Sequence, residues 1–501
     1  MKTIYKVFAC ASAALALASC SDFLKESSQD QIRPKNASDY KELIAGEIYY
    51  KMNEYSPQNA WLDAMTDDCE ELAKKASTFA PDKRIAAFGY YTWQQEPERQ
   101  REGVLNSDGA WGLYYHQIFT CNMILNDVDD MEGTLEEKAQ VKAEAYMIRA
   151  YAYYMLVNLY GEPYDPKTAD KAAGVPVNGL IGVENKKFKR ESVAAIYDQI
   201  LTNGENALKQ FEICGDGNSV FRWNKAAAVC EKIISEYPLH TKSAGKYSAW
   251  QELFMADNHL WTANTTYNGD EIIFAVEQDG ILVQSYGATN YLVFGCTGGK
   301  MDAAAIGISS GWGGLSLTGA FTSKFEDADL RATFYRGEEF DQYVDALRRE
   351  SDSWSNGWKS MKFLNVNHDG GKAQADGFVD TDWPVFRGAD AYLMYAECAA
   401  RGAADKTKGQ QYLDAVRARA GVGSIALTLD NIIDERGREL YYEGFRRQDL
   451  IRFGLFTSDK YLWEFKGGVQ AGKAVDDHFN LYPIMSSDLN ANGNLKQNPG
   501  Y

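Results

Sequence analysis

A long apolar segment between Glu136 and Tyr160 constrains the fold of this chain more than any other feature. Its apolar residues recur at helical spacing among good helix formers, and Gly161 and Pro163 follow it. The pattern predicts one helix that ends at Tyr160. Because so much of its surface is apolar, this helix needs neighbouring elements to cover it, which favours a scaffold of packed helices.

Further helices are predicted on both sides of a central region of different character. Their segments are Glu191–Phe211, Asn224–Tyr237, Asp390–Arg401, Lys408–Ala420 and Leu429–Phe453. These lengths are those of paired antiparallel helices that stack on their neighbours. The region from about Asp257 to Trp383 is instead rich in glycine and aromatic residues, with Glu271–Val276 as its clearest strand. A second loop-rich region runs from Thr66 to Trp111, and binding residues concentrate on such loops.

The N-terminus has the pattern of an export signal. A basic start, Met1 to Lys6, precedes a short apolar run, and the sequence Leu17-Ala-Ser-Cys20 resembles a bacterial lipoprotein lipobox. The run is shorter than the about 20 residues that a membrane-spanning helix needs. We expect cleavage before Cys20 and acylation of that residue, which would hold the protein on a membrane. The alternative is an ordinary secretory signal that happens to contain a cysteine.

The acidic composition argues against nucleic acid as a partner. Binding to phosphates needs a basic surface, whereas this chain has 52 Lys and Arg against 70 Asp and Glu, a net charge of −18. The 31 Tyr and 11 Trp residues suit neutral ligands better, because aromatic faces pack against the C–H faces of sugars or against apolar ligands. Most individual aromatic residues are nevertheless expected in the core.

The sequence shows no strong motif for metal binding or covalent catalysis. None of the five histidines has the spacing of a metal site: His116, His240, His259, His368 and His478. The six cysteines after Cys20 form no C-x-x-C pair, so we predict mostly buried thiols, with one or two disulfides left open. Gly307-Ile-Ser-Ser-Gly311 fits G-x-S-x-G, but no convincing strand precedes it. Carboxylate groups such as Asp67-Asp68 and Asp327 with Asp329 are expected to be solvated. We predict no metal, no cofactor and no enzymatic activity.

Short motifs follow one another in a fixed order along nearly the whole chain. They are Cys20-Ser-Asp-Phe-Leu24, Ala143-Glu-Ala-Tyr-Met-Ile-Arg149, Leu159-Tyr-Gly-Glu-Pro163, Gly174-Val-Pro-Val177, Leu413-Asp-Ala-Val-Arg417, Asp434-Glu-Arg-Gly-Arg438, Glu443-Gly-Phe-Arg-Arg447 and Gln497-Asn-Pro-Gly-Tyr501. Together they resemble the RagB/SusD family of Bacteroidetes outer-membrane lipoproteins. One departure concerns about residues 212–223, where one helix of a repeat pair is missing relative to the family pattern.

The resemblance implies a mainly α fold of SusD type. Tetratricopeptide-like helix pairs would form a scaffold, and a face of loops and small strands would bind the ligand. We expect a signal peptide at 1–19, a lipidated tether at 20–35 and a single domain at 36–501. Within that domain the helical scaffold would take up about 36–256 and 384–501, with a loop-rich insertion at about 257–383.

The resemblance also implies a role in nutrient uptake. The chain would be a non-catalytic, outer-membrane, cell-surface lipoprotein that captures a glycan and delivers it to a TonB-dependent SusC-like transporter. Two alternatives stay open at this point. One is a member of the same fold that captures peptides, and the other is a surface glycoside hydrolase.

Candidate ligand contacts lie in the two loop-rich regions, where family members place aromatic and polar side chains. They are Trp61, Asp67, Tyr91, Trp93, Tyr286, Asn290, Tyr291 and Trp312. Trp93 is the preferred aromatic platform, while Asp67 and Asn290 could accept or donate hydrogen bonds to sugar hydroxyls or cap turns. Glu439, Glu443 and Arg446 or Arg447 are spaced for ion pairs along one helix, with a structural role in the scaffold.

Overall fold

The structure is a computed structural model, and it describes sixteen ranges or single positions of the chain. These are residues 34–49, 66–70, 109–182, 184, 186–214, 226–243, 246–256, 271–276, 281–282, 307, 316–336, 358–367, 369–371, 378–379, 381–458 and 476–501. All statements about the fold concern these residues. The expectation of a missing helix near 212–223 falls largely outside them.

Helices make up most of the described chain. They are α1 (Ala37–Ile44), α2 (Ala110–Asp127), α3 (Leu135–Tyr160), α4 (Val193–Cys214), α5 (Ala226–Glu236), α6 (Ala249–Glu252), α7 (Gly319–Thr322), α8 (Gly388–Ala400), α9 (Lys406–Arg419), α10 (Leu429–Leu440), α11 (Arg446–Arg452) and α12 (Ser486–Ala491). Helix α3 packs against α2 and α4, and α8 packs against α5 and α9. The predicted mainly α fold is confirmed.

The strands are short and lie mostly in the central region. They are β1 (Cys69–Glu70), β2 (Ile272–Val276), β3 (Ile281–Leu282), β4 (Ser316–Leu317), β5 (Phe334–Arg336), β6 (Trp358–Ser360), β7 (Phe378–Val379) and β8 (Trp383–Arg387). One sheet has the order β1-β4-β6-β5, and two antiparallel pairs join β2 with β8 and β3 with β7. The strand predicted at Glu271–Val276 is confirmed as β2.

Local sequence signals account for the ends of the main helices. Thr134 and Glu137 form a reciprocal capping box at the start of α3, and the helix ends at Tyr160 as predicted. The Ser192 hydroxyl accepts a hydrogen bond from the Ala195 amide, 3.2 Å away, at the start of α4. Helices α5, α8 and α9 also lie within a few residues of their predicted bounds.

The predicted helix from Leu429 to Phe453 is wrong as a single element. It divides into α10 and α11, with Tyr442 at φ 58° and Gly444 at φ 81° between them. The break turns backbone carbonyls inward, so that the buried Lys362 ammonium donates to the Tyr441 carbonyl oxygen at 2.6 Å. The predicted same-helix pairing of Glu443 with arginines of that segment is therefore absent, and Glu443 pairs elsewhere.

Two large apolar clusters fill the interior. One surrounds Trp250, Phe321 and Tyr441 and joins the small strands to the helices. The other joins α2, α3 and α4 to the C-terminal residues around Tyr482. Cys121 and Cys230 are buried free thiols, in line with the predicted role of the cysteines. None of the described helices is both long enough and apolar enough to cross a membrane.

Candidate ligand-binding face and its support

The two loop-rich regions meet where β1 pairs with β4. The strands are antiparallel, with Cys69 opposite Leu317 and Glu70 opposite Ser316. Because the strands run in opposite directions, the chain leaves Glu70 beside the point where it enters Ser316. Two segments therefore attach to the same end of this strand pair. One is 71–108, which contains Tyr91 and Trp93, and the other is the segment before Ser316, which contains Trp312.

This strand pair is fixed to the core of the molecule. Leu317 is fully buried, and β4 continues through β6 to β5, where the rings of Phe334 and Trp358 lie 5.5 Å apart. Thr318 links the two strands beyond their pairing. Its amide donates to the Asp68 carbonyl at 2.9 Å, and its hydroxyl donates to the Asp67 carbonyl at 2.8 Å. The two loop-rich regions thus share a rigid base.

Asp67 is the one predicted ligand contact that lies among the described residues, and it is buried. Its two carboxylate oxygens accept hydrogen bonds from Nε and NH2 of Arg446, at 2.6 and 2.8 Å, and Lys324 lies 3.6 Å away. Burial raises the pKa of Asp67, but the Arg446 guanidinium outweighs it and holds the pKa below its ordinary value. The burial of Asp67 differs from the predicted solvated carboxylate. A ligand would also have to displace the Arg446 guanidinium to reach this carboxylate.

Asp68 is a buried carboxylate with an incomplete set of partners. Its Oδ1 accepts a hydrogen bond from the Thr66 hydroxyl, while no described residue donates a hydrogen bond to Oδ2. Burial, followed by the charge of Asp67, raises the pKa of Asp68 to about 6. The prediction that this acidic pair is solvated is wrong, since both carboxylates lie inside the base of the loops.

The other predicted contact residues lie outside the described residues. They are Trp61, Tyr91, Trp93, Tyr286, Asn290, Tyr291 and Trp312, together with the predicted lipidation site Cys20. Two of them lie close in sequence to described strands. Tyr286 comes four residues after β3, and Trp312 comes four residues before β4. Their contact with a ligand stays a prediction.

Gly307, the first residue of the G-x-S-x-G match, has a backbone role. Its φ is +76°, and a Cβ atom added there would lie 1.8 Å from the Asn365 carbonyl oxygen. The Asn365 side chain in turn donates to the Gly307 carbonyl at 3.3 Å. Only glycine fits such a close approach at positive φ, so the match at this position is explained by packing.

Behind the face, a buried ionic network joins the C-terminal helices to the central strands. Arg387, at the end of β8, donates to Glu443, Glu439 and Glu271 at 2.6–2.8 Å. Lys362 donates to Glu443 at 2.6 Å. The predicted structural role of Glu439 and Glu443 is confirmed, but their partners come from distant segments. A pattern of spacing within one helix could not reveal such partners.

The remaining described candidate groups pair with other side chains of the protein. Asp329, considered with Asp327 as a solvated carboxylate, is buried and pairs with Arg331 at 2.8 Å. His240 lies 3.0 Å from Glu252, and His116 lies 3.1 Å from Glu47. Within the described ranges no three His, Cys, Asp or Glu side chains are grouped in a way that could hold a metal ion.

Two family models match the chain. The model described as the SusD family covers residues 320–501, and the model described as starch-binding and associating with the outer membrane covers residues 22–231. The starch-binding protein SusD of Bacteroides thetaiotaomicron is 29% identical over 496 residues, which cover 87% of this chain and 85% of the relative. A SusD-like protein of Formosa agariphila is 22% identical over 547 residues, covering 98% and 96% of the two chains.

Solved structures share the fold. A SusD superfamily protein from Bacteroides vulgatus matches with a TM-score of 0.67 at 16% identity, covering 93% of this chain and 99% of the other. Surface glycan-binding protein A from Bacteroides thetaiotaomicron, in complex with laminarihexaose, matches with a TM-score of 0.64 at 19% identity, covering 93% and 99%. These structures show the fold alone. The two family models and the similarity to SusD show that the chain belongs to the SusD/RagB family.

Proposed function

We propose that this protein is a non-catalytic glycan-binding lipoprotein of the bacterial surface. The observation that carries the proposal is its similarity to starch-binding SusD over 87% of the chain. Surface glycan-binding protein A, which shares the fold, forms a complex with laminarihexaose and so adds a second related protein that binds a glycan. The ligand here would be an oligosaccharide or a polysaccharide.

The proposed binding face is built on the β1–β4 pair. Trp93 and Tyr91 belong to the segment that follows Glu70, and Trp312 precedes Ser316 by four residues, a length of chain that spans at most about 14 Å. Aromatic rings offer flat apolar faces for the C–H groups of a pyranose, with polar edges for its hydroxyls. Aromatic residues from both loop-rich regions, with Asn290 as a polar partner, would form one platform.

The lipid anchor and the partner belong to the same proposal. Acylation of Cys20 would attach the domain to the outer membrane through the tether at 20–35. A TonB-dependent SusC-like transporter would lie beneath the domain and receive the captured glycan. The description of the N-terminal family model, which names association with the outer membrane, supports this location.

Ligand binding is tested with the lipid-free protein that starts at Ser21. Calorimetry against starch, laminarin, other plant, host and microbial polysaccharides and a peptide pool gives the ligand class. A glycan response that persists in salt and releases no product supports the proposal, because a neutral sugar has no charge for salt to screen. A response to peptides alone, weakened by salt, would favour the peptide-capturing alternative. Product release would establish a hydrolase.

The binding face is tested by truncation of its aromatic residues. Combined replacement of Trp93, Tyr291 and Trp312 by Ala should abolish measurable binding of the glycan found above, since each ring would contribute on the order of 1 kcal/mol or more. Tyr164→Ala is the matched control, because Tyr164 is 53% exposed and packs on Tyr197 of α4. Unchanged affinity in the triple variant would contradict this location of the site.

A further inference from the structure

Arg446 is held firmly on the helical scaffold. Besides its two bonds to Asp67, its NH1 atom donates to the Ile433 carbonyl of α10 at 2.8 Å. The guanidinium lies against Gly437 in the middle of the same helix, where an added Cβ atom would be 3.0 Å from NH1. A glycine inside a helix costs about 1 kcal/mol relative to alanine, and here it leaves the space that Arg446 occupies.

A second link fixes the same point of the chain. Lys324 lies 3.6 Å from Asp67 and donates to Asp434 of α10 at 2.8 Å. Among the described residues, the cations that face the Asp67-Asp68 pair are Arg446 at the start of α11 and Lys324 after α7. Both also contact α10, so the pair is connected to one scaffold helix by two cations.

These contacts lie directly before β1, whose two residues separate Asp68 from the loop that follows. Asp67 is anchored through its side chain to Arg446 and through its carbonyl to Thr318, at the start of α7. The Asp68 carbonyl accepts from the Thr318 amide. A charge-assisted, two-point hydrogen bond fixes orientation as well as distance. Both strands of the β1–β4 pair are therefore set relative to α10.

We infer that Arg446 and Asp67 are positioning residues for ligand binding, which orient the β1–β4 pair and thereby the two loop-rich regions of the proposed binding face. This inference rests on the proposed function. Asp67 would act on the ligand through the loops, without touching it. The ligand class is the neutral oligosaccharide proposed above.

Arg446→Lys tests the inference, because lysine keeps the positive charge and loses the two-point geometry. Arg417→Lys is the matched control: Arg417 is equally buried and donates to Glu435 of α10 at 2.8 Å, and its other partners among the described residues, Gly423 and Glu326, lie outside β1 and β4. Two quantities are measured in each variant: hydrogen exchange of the Thr318 amide, and calorimetric affinity for laminarihexaose and maltoheptaose. Thermal unfolding shows whether each variant is folded at the temperature used.

Arg446→Lys should speed exchange at Thr318 and weaken oligosaccharide binding, each by about tenfold, the factor expected for one lost charge-assisted hydrogen bond. Arg417→Lys should lower the melting temperature and change neither quantity. If Arg446→Lys does not fold, Asp67→Asn takes its place, because it removes the carboxylate charge with which Arg446 pairs and keeps one oxygen acceptor.

Two outcomes would overturn the inference, and a third concerns the function itself. Unchanged exchange at Thr318, or faster exchange with unchanged affinity, would show that the ion pair does not position the face. Wild-type protein that binds neither oligosaccharide, nor any glycan of the wider panel, would overturn the proposed function. The exchange measurement needs no ligand, so the two failures are distinguishable.

Discussion

Asp68 is the residue whose ionisation is opposed most clearly by its surroundings in the β1 segment. It is fully buried, Oδ2 has no donor within the part of the chain that the structure describes, and burial together with Asp67 raises its pKa to about 6. In the unfolded chain an aspartate has a pKa of about 3.9. Since the folded-state pKa is the higher one, protonation of Asp68 makes its full contribution to the stability of the folded state below about pH 4. That contribution is lost as the pH rises through about 6.

Asp68→Asn should therefore stabilise the protein at neutral pH. The free energy of unfolding should rise by on the order of 1–3 kcal/mol at about pH 7.5 and change little at about pH 3, below both pKa values, where the carboxyl is mostly protonated in both states. Urea unfolding at the two pH values measures the difference, with the exposed Asp170→Asn as control. Destabilisation at about pH 7.5 without a matching loss at the acidic pH would contradict the prediction and show that Asp68 needs its charge.

The acidic pair also shows how far single residues can be predicted. In a chain with a net charge of −18 most carboxylates are solvated, so Asp67 and Asp68 carry no local sign of burial. The partner of Asp67 lies 379 positions further along the chain. Only the tertiary fold brings Arg446 to it.

At the scale of elements, local signals predicted the helices well where the helix is continuous. Helix α3 ends before Gly161 as expected and starts one residue before the predicted Glu136, where Thr134 caps it, because capping and termination are set by neighbouring residues. The single helix predicted from Leu429 to Phe453 failed for the opposite reason. At the break, backbone carbonyls accept hydrogen bonds from Lys362 and Arg387. These two residues come from the strand-containing region, so a helical pattern in the local sequence cannot predict their contacts.

The network at this break should carry much of the stability of the C-terminal helices. Glu439 on α10 is fully buried and accepts from Arg387 at 2.6 Å, from Arg331 at 3.1 Å and from Arg419. Glu439→Gln leaves three buried cations short of one negative charge, and removal of one partner from a buried ion pair costs about 3–5 kcal/mol. Denaturant unfolding should show that loss.

Glu231→Gln is the matched control for this variant. Glu231 on α5 pairs with Lys408 on α9 at 2.6 Å, and both side chains are 40% exposed. An exposed pair is screened by water and salt, so this variant should change stability little. Equal losses in the two variants would mean that the buried network contributes no more than a surface pair.

At the scale of the whole molecule, the fold was predicted because many weak motifs occur in one order along the chain, and no single site was needed. The binding face was predicted only as a region. Loop residues such as Trp93 and Trp312 have no periodic pattern that would distinguish a ligand contact from a packed ring. What the structure adds is the pairing of Cys69–Glu70 with Ser316–Leu317, which gives the two regions one base.

The last prediction concerns where the molecule resides. If Cys20 is acylated, wild-type protein in a Bacteroidetes host should pellet with the outer membrane and incorporate labelled fatty acid, because each buried methylene contributes about 0.8 kcal/mol and several chains anchor firmly. Cys20→Ala should lose the label and move to the soluble fraction, with glycan affinity unchanged, since the proposed contacts begin at Trp61. Cys398→Ala, at a half-buried free thiol, should keep both the label and the membrane location. Unaltered fractionation of Cys20→Ala would instead indicate an ordinary secretory signal and attachment through a protein partner.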